Sequence, residues 1–150
     1  MKIISENKKA YFDYEILETY ETGIVLLGHE VKSIKTGHIS LTGSFVVPKF
    51  EELFLLNAFI PPYQPKNTPK DYDPRRSRKL LLHKSEIKSL IGKIKQKGLT
   101  LVPLKVYILK GKIKLQFGLG KGKKQFDKRE KVKKREFERQ KERLLKQHEK

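Results

Sequence analysis

The chain has no cysteine, which excludes disulfides, thiolate zinc sites and cysteine nucleophiles together. No apolar run approaches the ~20 residues a membrane span needs, and Met1-Lys2-Ile3-Ile4-Ser5-Glu6 opens no stretch of signal-peptide length. Acidic residues are scarce: 17 Asp and Glu stand against 35 Lys and Arg, a formal net charge of +18 in 150 residues. A small acidic metabolite does not need that excess. It points to a polyanion, nucleic acid ahead of an anionic membrane surface. With 37% hydrophobic and 35% charged residues, the chain can build one modest core, hence one domain or one domain plus a tail. A cytoplasmic protein without a membrane partner is expected.

The charge is unevenly spread. Residues 1–120 hold 21 basic and 11 acidic residues, net +10, while 121–150 hold 14 and 6, net +8. The apolar residues of the last thirty are Phe126, Val132, Phe137, Leu144 and Leu145, too few for a core. The expected division is therefore a folded domain over 1–120 and a basic tail over 121–150, with the boundary near Gly118–Gly122.

Within the domain the hydrophobic pattern is mostly period-two. Ile113, Leu115, Phe117 and Leu119 alternate with polar or small residues, as do Val102, Leu104, Val106 and Ile108 upstream, and Lys110-Gly111 between them reads as a tight hairpin turn. Pro103 cannot donate a ladder hydrogen bond, which places it at an edge or a bulge. Ser44–Val47 and Leu53–Ile60 form a second pair joined by Pro48–Glu52. Tyr14, Ile16, Glu18 and Tyr20 alternate before a turn at Gly23, with Ile24–Leu27 beyond. About six strands with short turns predict a small antiparallel barrel. Two or three helices flank it. Ile87, Leu90, Ile91 and Ile94 share one helical face between Ser85, a suitable N-cap, and Gly98; a shorter helix spans Gly28–Thr36, closed by Gly37, with Val31 and Ile34 inward. Pro61–Arg78 is a proline-rich loop long enough to be functional or mobile.

Lys123–Lys150 contains neither Pro nor Gly and is rich in helix formers, with Asp127–Lys131, Glu130–Lys134 and Glu142–Lys146 as acid-before-base pairs at i,i+4. Such pairs contribute ~0.2–0.5 kcal/mol each, less than the ~1–2 kcal/mol per residue of backbone ordering entropy. The tail is thus expected to be disordered alone and helical on a polyanion. The alternative is a solvated helix packed loosely on the barrel by Phe126, Phe137 and Leu144.

Catalytic motifs fail on inspection. Asp71-Tyr72-Asp73 has no third ligand beside it and reads as turn chemistry. His29-Glu30 lacks a second histidine four residues on, where Ser33 stands. Gly118-Leu119-Gly120-Lys121-Gly122 is no phosphate loop, since no Gly-Lys-Ser/Thr follows, and reads as a basic hinge. No cofactor and no metal is called for. What remains are the clusters Arg75-Arg76-Ser77-Arg78-Lys79, Lys93-Ile94-Lys95-Gln96-Lys97 and Lys121-Gly122-Lys123-Lys124, suited to phosphates, with Tyr11, Phe12, Tyr14, Tyr20, Tyr63 and Tyr72 as rings for unpaired bases. RNA is favoured over duplex DNA because no recognition-helix pattern is present.

Particular residues then resemble a known family. Gly23-Ile24-Val25-Leu26, Gly28-His29-Glu30-Val31-Lys32-Ser33, Leu55-Leu56-Asn57-Ala58, Arg78-Lys79-Leu80-Leu81-Leu82-His83-Lys84, Lys97-Gly98-Leu99-Thr100-Leu101-Val102-Pro103-Leu104, and Gly118-Leu119-Gly120-Lys121-Gly122-Lys123-Lys124 through Asp127-Lys128-Arg129 are similar, in order, to the SsrA-binding (small protein B) family. The resemblance implies an oligonucleotide-binding-type barrel and a non-enzymatic protein, expected to be a monomer. It would bind the tRNA-like domain of transfer-messenger RNA and deliver it to stalled ribosomes for trans-translation. Carried onto this chain, it implies RNA contacts at Glu30, Lys32, Ser33, Asn57, Arg78, Lys79, Lys121, Lys123 and Lys124. It implies contacts to small-subunit ribosomal RNA at the decoding centre and mRNA channel for Phe126, Asp127, Lys128, Arg129, Lys131, Arg135 and Arg139. Two residues have a plainer second reading, Glu30 as a helix-start charge and Asn57 as a strand-end cap. Two positions depart from the family: Phe126, where relatives often carry His or Tyr, keeps a stacking ring but no polar ring atom, and His29 replaces a commoner Thr. A permanently bound ribosomal protein or rRNA chaperone is the competing reading, and a metal-dependent RNase lacks its carboxylate cluster.

Overall fold

The computed structural model describes residues 1–123 together with 135, 136, 139 and 140, Lys97 by its backbone alone. Seven strands and three α-helices are described over 1–123 in the order β1 (Lys2–Glu6), α1 (Lys8–Asp13), β2 (Tyr14–Ile24), α2 (Gly28–Lys35), β3 (Phe45–Lys49), β4 (Glu52–Leu56), β5 (Arg78–Leu81), α3 (Lys84–Lys97), β6 (Thr100–Leu109) and β7 (Lys112–Gly122), with one 3-10 turn at Pro65–Asn67. All pairings are antiparallel, and β6-β3-β4-β5-β2-β7 closes on itself through β6–β7, leaving β1 on the other edge of β6. This is the expected barrel with one strand more. Closure pairs the strand edges that an open sheet would expose.

The long β6–β7 hairpin turns at Lys110 and Gly111, both with positive φ (50° and 76°), as a two-residue turn between twisted strands requires. Pro103 lies beside a register shift, between Pro103 and Lys105, so the missing N–H coincides with a bulge. The β3–β4 connection is shorter than expected. Phe50 and Glu51 alone make the turn, both left-handed, and Pro48 pairs with Leu53 inside β3. A proline is tolerated there because the other edge of β3 meets β6 at Val46–Leu101 only.

Two glycine readings need correction. Gly23 is not a turn; β2 runs unbroken to Ile24, and Gly23 sits where it pairs with both Leu81 of β5 and Lys114 of β7. A Cβ there would lie 3.2 Å from Leu81 Cδ1, so the glycine permits close approach at the handover between strands. Gly118 and Gly120 are not a hinge but lie buried within β7. A Cβ on Gly118 would stand 2.8 Å from Ile16 Cγ2, and one on Gly120 would stand 3.2 Å from Tyr14 Cβ. The missing side chains let β2 and β7 close over each other.

The core is filled by the inward faces of the strands, with Leu53, Leu55, Leu80, Val106, Leu115 and Phe117 fully buried, and by Ile34 of α2 and Ile87 and Leu90 of α3. The N-cap of α3 is His83 rather than Ser85: the His83 N–H donates to Glu86 Oε1 (3.4 Å), and Gly98 closes the helix in the left-handed conformation with φ 61°. Elements β1, α1 and β5 carry no hydrophobic period of useful length. α1 buries Ala10 alone, against Val102 and Leu104, and Asn7 pins its start by donating to the carbonyls of Pro103 (3.0 Å, side chain) and Leu104 (2.7 Å, backbone). Both carbonyls lie on β6 between its contacts with β3 and β1.

Gly118→Ala is expected to lower stability by about 1–3 kcal/mol through overpacking against Ile16. Gly122→Ala, with open space around it, should stay within about 0.5 kcal/mol. Urea unfolding of the two variants beside the parent measures the difference.

Candidate nucleic-acid interface

Glu30 lies in the first turn of α2 with a fully buried side chain. Six hydrogen bonds converge on its carboxylate. Oε1 accepts from the Leu27 backbone N–H (2.8 Å) and Arg76 Nη2 (2.5 Å); Oε2 accepts from the Tyr72 hydroxyl (2.9 Å), Arg76 Nε (3.2 Å), and Arg78 Nε (2.9 Å) and Nη2 (2.6 Å). The Leu27 contact satisfies an orphan donor at the start of α2, where a carboxylate also favours the helix dipole.

Arg78 is buried as completely as Glu30. Its two Nη1 protons reach the carbonyls of Ala58 (2.8 Å) and Arg76 (3.1 Å), and the second Nη2 proton is shared between the Pro74 carbonyl (2.9 Å) and the Tyr72 hydroxyl oxygen (3.2 Å), whose own single proton is shared between Glu30 Oε2 and the Ile60 carbonyl (2.9 Å each). The cluster therefore joins α2, the segment after β4, the loop 61–77 and β5. A buried charge pair is tolerable only with such complete pairing. Burial pushes the Glu30 carboxyl pKa up, but the hydrogen bonds from Arg76, the Leu27 N–H and Arg78 outweigh it and bring it down to about 2. Burial, with the adjoining Glu30 carboxylate, raises the Tyr72 hydroxyl to about 12, so it stays protonated as a donor.

The expected contact residues separate into two groups. The side chains of Glu30, Ser33 and Arg78 are buried; the single Ser33 hydroxyl proton is shared between the carbonyls of Pro61 (2.9 Å) and His38 (3.3 Å). Each is satisfied by partners within the fold. Lys32, Lys79 and Lys121 are exposed, Lys79 in a loose pair with Glu52 (3.7 Å). Asn57 takes a left-handed φ of 63° at the end of β4 and donates from Nδ2 to the Gly43 carbonyl (3.0 Å). Lys123 is tied down: its Nζ donates to the Tyr11 carbonyl (2.9 Å) and its N–H to the Asp13 carbonyl (3.0 Å). Of the tail positions, Arg135 and Arg139 are exposed and helical, with the Arg135 guanidinium 5.4 Å over the Phe12 ring. Lys124, Phe126, Asp127, Lys128, Arg129 and Lys131 lie outside the described residues, as does most of the tail whose helix was expected.

Tyr72 and Arg76 were not singled out as partners of Glu30, because 42 and 46 residues separate them from it. Asp71 and Asp73, weighed as ligands, turn out to flank the working residue, and Asp73 Oδ1 accepts the Arg75 N–H (2.9 Å) in a turn as expected. His29 packs edge-on to Tyr72 (centroids 4.5 Å, 87°). Among the described residues no group of three His, Cys, Asp or Glu side chains is placed to hold a metal, and no helix is long and apolar enough to cross a membrane.

The model of the SmpB protein family matches residues 4–147. The chain belongs to that family. It is 52% identical over 147 residues to an SsrA-binding protein of Thermosynechococcus vestitus, covering 98% of this chain and 97% of the relative. With an SsrA-binding protein of Cupriavidus necator the identity is 52% over 143 residues, 95% of each. A solved structure described as "tmRNA-SmpB: a journey to the center of the bacterial ribosome" matches with a TM-score of 0.66 at 52% identity, over 85% of this chain and 92% of that one. The likeness to this family rests on almost the whole length and on the fold.

The depressed Glu30 pKa carries a pH signature. A folded-state value of about 2, below the ordinary 4.5, gives stability that is present above pH 4.5 and lost as pH falls from there towards 2. Glu30→Gln should cost about 3–5 kcal/mol at pH 7, by leaving Arg78 buried beside a neutral group. It should also show a shallower loss than the parent between pH 4.5 and 2. Urea unfolding across that range checks both.

Proposed function

We infer that this chain binds transfer-messenger RNA and delivers it to stalled ribosomes. The observation that carries this reading is the 52% identity to SsrA-binding proteins across nearly the whole chain, together with the match to the tmRNA-SmpB structure. The net charge of +18 suits a protein that must meet two RNAs. The protein acts by binding and positioning rather than by catalysis, in the cytoplasm where ribosomes work.

Within that reading, Lys32, Asn57 and Lys79 contact the RNA, together with Lys121 and Lys123 at the end of β7 and with Lys124. Glu30, Ser33 and Arg78 contribute by holding the fold in shape. The tail, through Phe126, Asp127, Lys128, Arg129, Lys131, Arg135 and Arg139, takes the place of missing mRNA at the decoding centre. Near its start, Lys123 is fastened to α1 by its two hydrogen bonds to the Tyr11 and Asp13 carbonyls.

A chain ending at Lys123 should bind the RNA within about threefold of the full-length protein yet fail to support tagging on stalled ribosomes. Equal tagging by both would remove the assigned division of labour. Lys32→Ala and Lys79→Ala should each weaken RNA binding and reduce the slope of log K against log salt by roughly 0.7–0.9, the signature of one lost phosphate contact.

A further inference from the structure

Three arginines follow Pro74 within four residues, and the fold gives them different fates. Arg76 and Arg78 are ion-paired with the one Glu30 carboxylate at 2.5 and 2.6 Å. Arg75 is exposed and forms no ion pair among the described residues. Its guanidinium carbon instead lies 5.1 Å over the centre of the Phe59 ring. Nη1 donates to the Asn57 carbonyl (3.4 Å), and the Arg75 backbone N–H donates to Asp73 Oδ1 (2.9 Å).

We propose that the solvent-facing side of the Arg75 guanidinium, seated over Phe59, is a stacking platform for an unpaired nucleobase of the bound RNA. The proposal rests on the RNA-binding function and names the nucleotide chemistry of that surface. A guanidinium is planar and weakly hydrated, and an aromatic ring beneath it favours the cation electrostatically. The opposite side is then an oriented, positively charged plane, the kind of surface on which bases stack with little regard to sequence. Of the five N–H donors one is engaged by Asn57, and the others ring the edge, where base, ribose or phosphate oxygens can accept.

Rigidity separates this arginine from an ordinary surface cation. Phe59 exchanges two backbone hydrogen bonds with Ser40 (2.9 and 3.0 Å), and Asn57 is held in its left-handed conformation by its bond to Gly43. On the loop side, the Pro74 carbonyl accepts from the Ile60 N–H (3.0 Å) and from Arg78 Nη2 (2.9 Å). Both supports of the platform thus lead back to the Glu30 cluster. A side chain already ordered adds little entropy cost when a base arrives.

The test is equilibrium binding of full-length protein to transfer-messenger RNA over a salt series. Arg75→Lys keeps the charge and removes the plane, so affinity should fall about tenfold with the salt slope unchanged. Phe59→Leu should reproduce that fall with Arg75 in place, its melting temperature recorded beside the parent's to separate lost stacking from lost folding. Wild-type affinity in Arg75→Lys combined with weaker binding in Arg75→Ala would make Arg75 a phosphate contact and overturn the proposal. Wild-type affinity in both would overturn it as well. Failure of the parent chain to bind this RNA would instead remove the functional reading on which the proposal stands.

Discussion

A carboxylate that no solvent reaches must be satisfied from within, and the way Glu30 is satisfied organises one whole side of this molecule. Its six hydrogen bonds come from the start of α2, from Tyr72 and Arg76 in the loop, and from Arg78 on β5. Removing one partner would leave a buried charge exposed to a low dielectric, so the pieces stand or fall together. Buried ion pairs are a poor source of net stability compared with apolar packing. What this one supplies is a unique conformation for a proline-rich loop that has little apolar surface of its own to bury. Arg75 and Lys79, on that loop and on β5, stay exposed beside the buried Arg78.

The barrel provides the second constraint. β6 shares one edge between β3 and β1 and bulges beside Pro103, and the carbonyls around that bulge hold Asn7 and so the start of α1. α1 in turn presents the Tyr11 and Asp13 carbonyls to Lys123. Gly118 and Gly120 let β7 lie close enough to β2 for the ring to close. The barrel thus runs through Gly122, two residues into the 121–150 segment that carries net +8, and Lys123 is fixed against α1.

Much of this could be read from residue order. The alternation around Lys110-Gly111 located the longest hairpin, Pro103 marked a bulge, and Ile87, Leu90, Ile91 and Ile94 located α3. These are properties of neighbours a few residues apart, and period and turn chemistry report them directly. β1, α1 and β5 escaped because each is short and half exposed, and their order comes from pairing with β6 or with β2 and β4 rather than from any period of their own. Gly23 and the glycines of β7 misled for a related reason: a glycine that permits a turn and one that permits close approach of two strands look alike until the strands are paired.

From the sequence alone came a basic, cysteine-free chain, a mainly antiparallel barrel, a tail too poor in apolar residues to bury a core, and a family resemblance that carried the biology. Composition and short-range pattern contain all of that. The tertiary structure alone sorted the charges. Arg75, Arg76 and Arg78 stand together as one basic cluster in the sequence, yet one is buried against Glu30, one is shared between Glu30 and solvent, and one is left exposed over Phe59. That partition depends on a glutamate more than forty residues away and on a closed ring of strands that brings it near, and an interaction set by distance in space leaves no period along the chain.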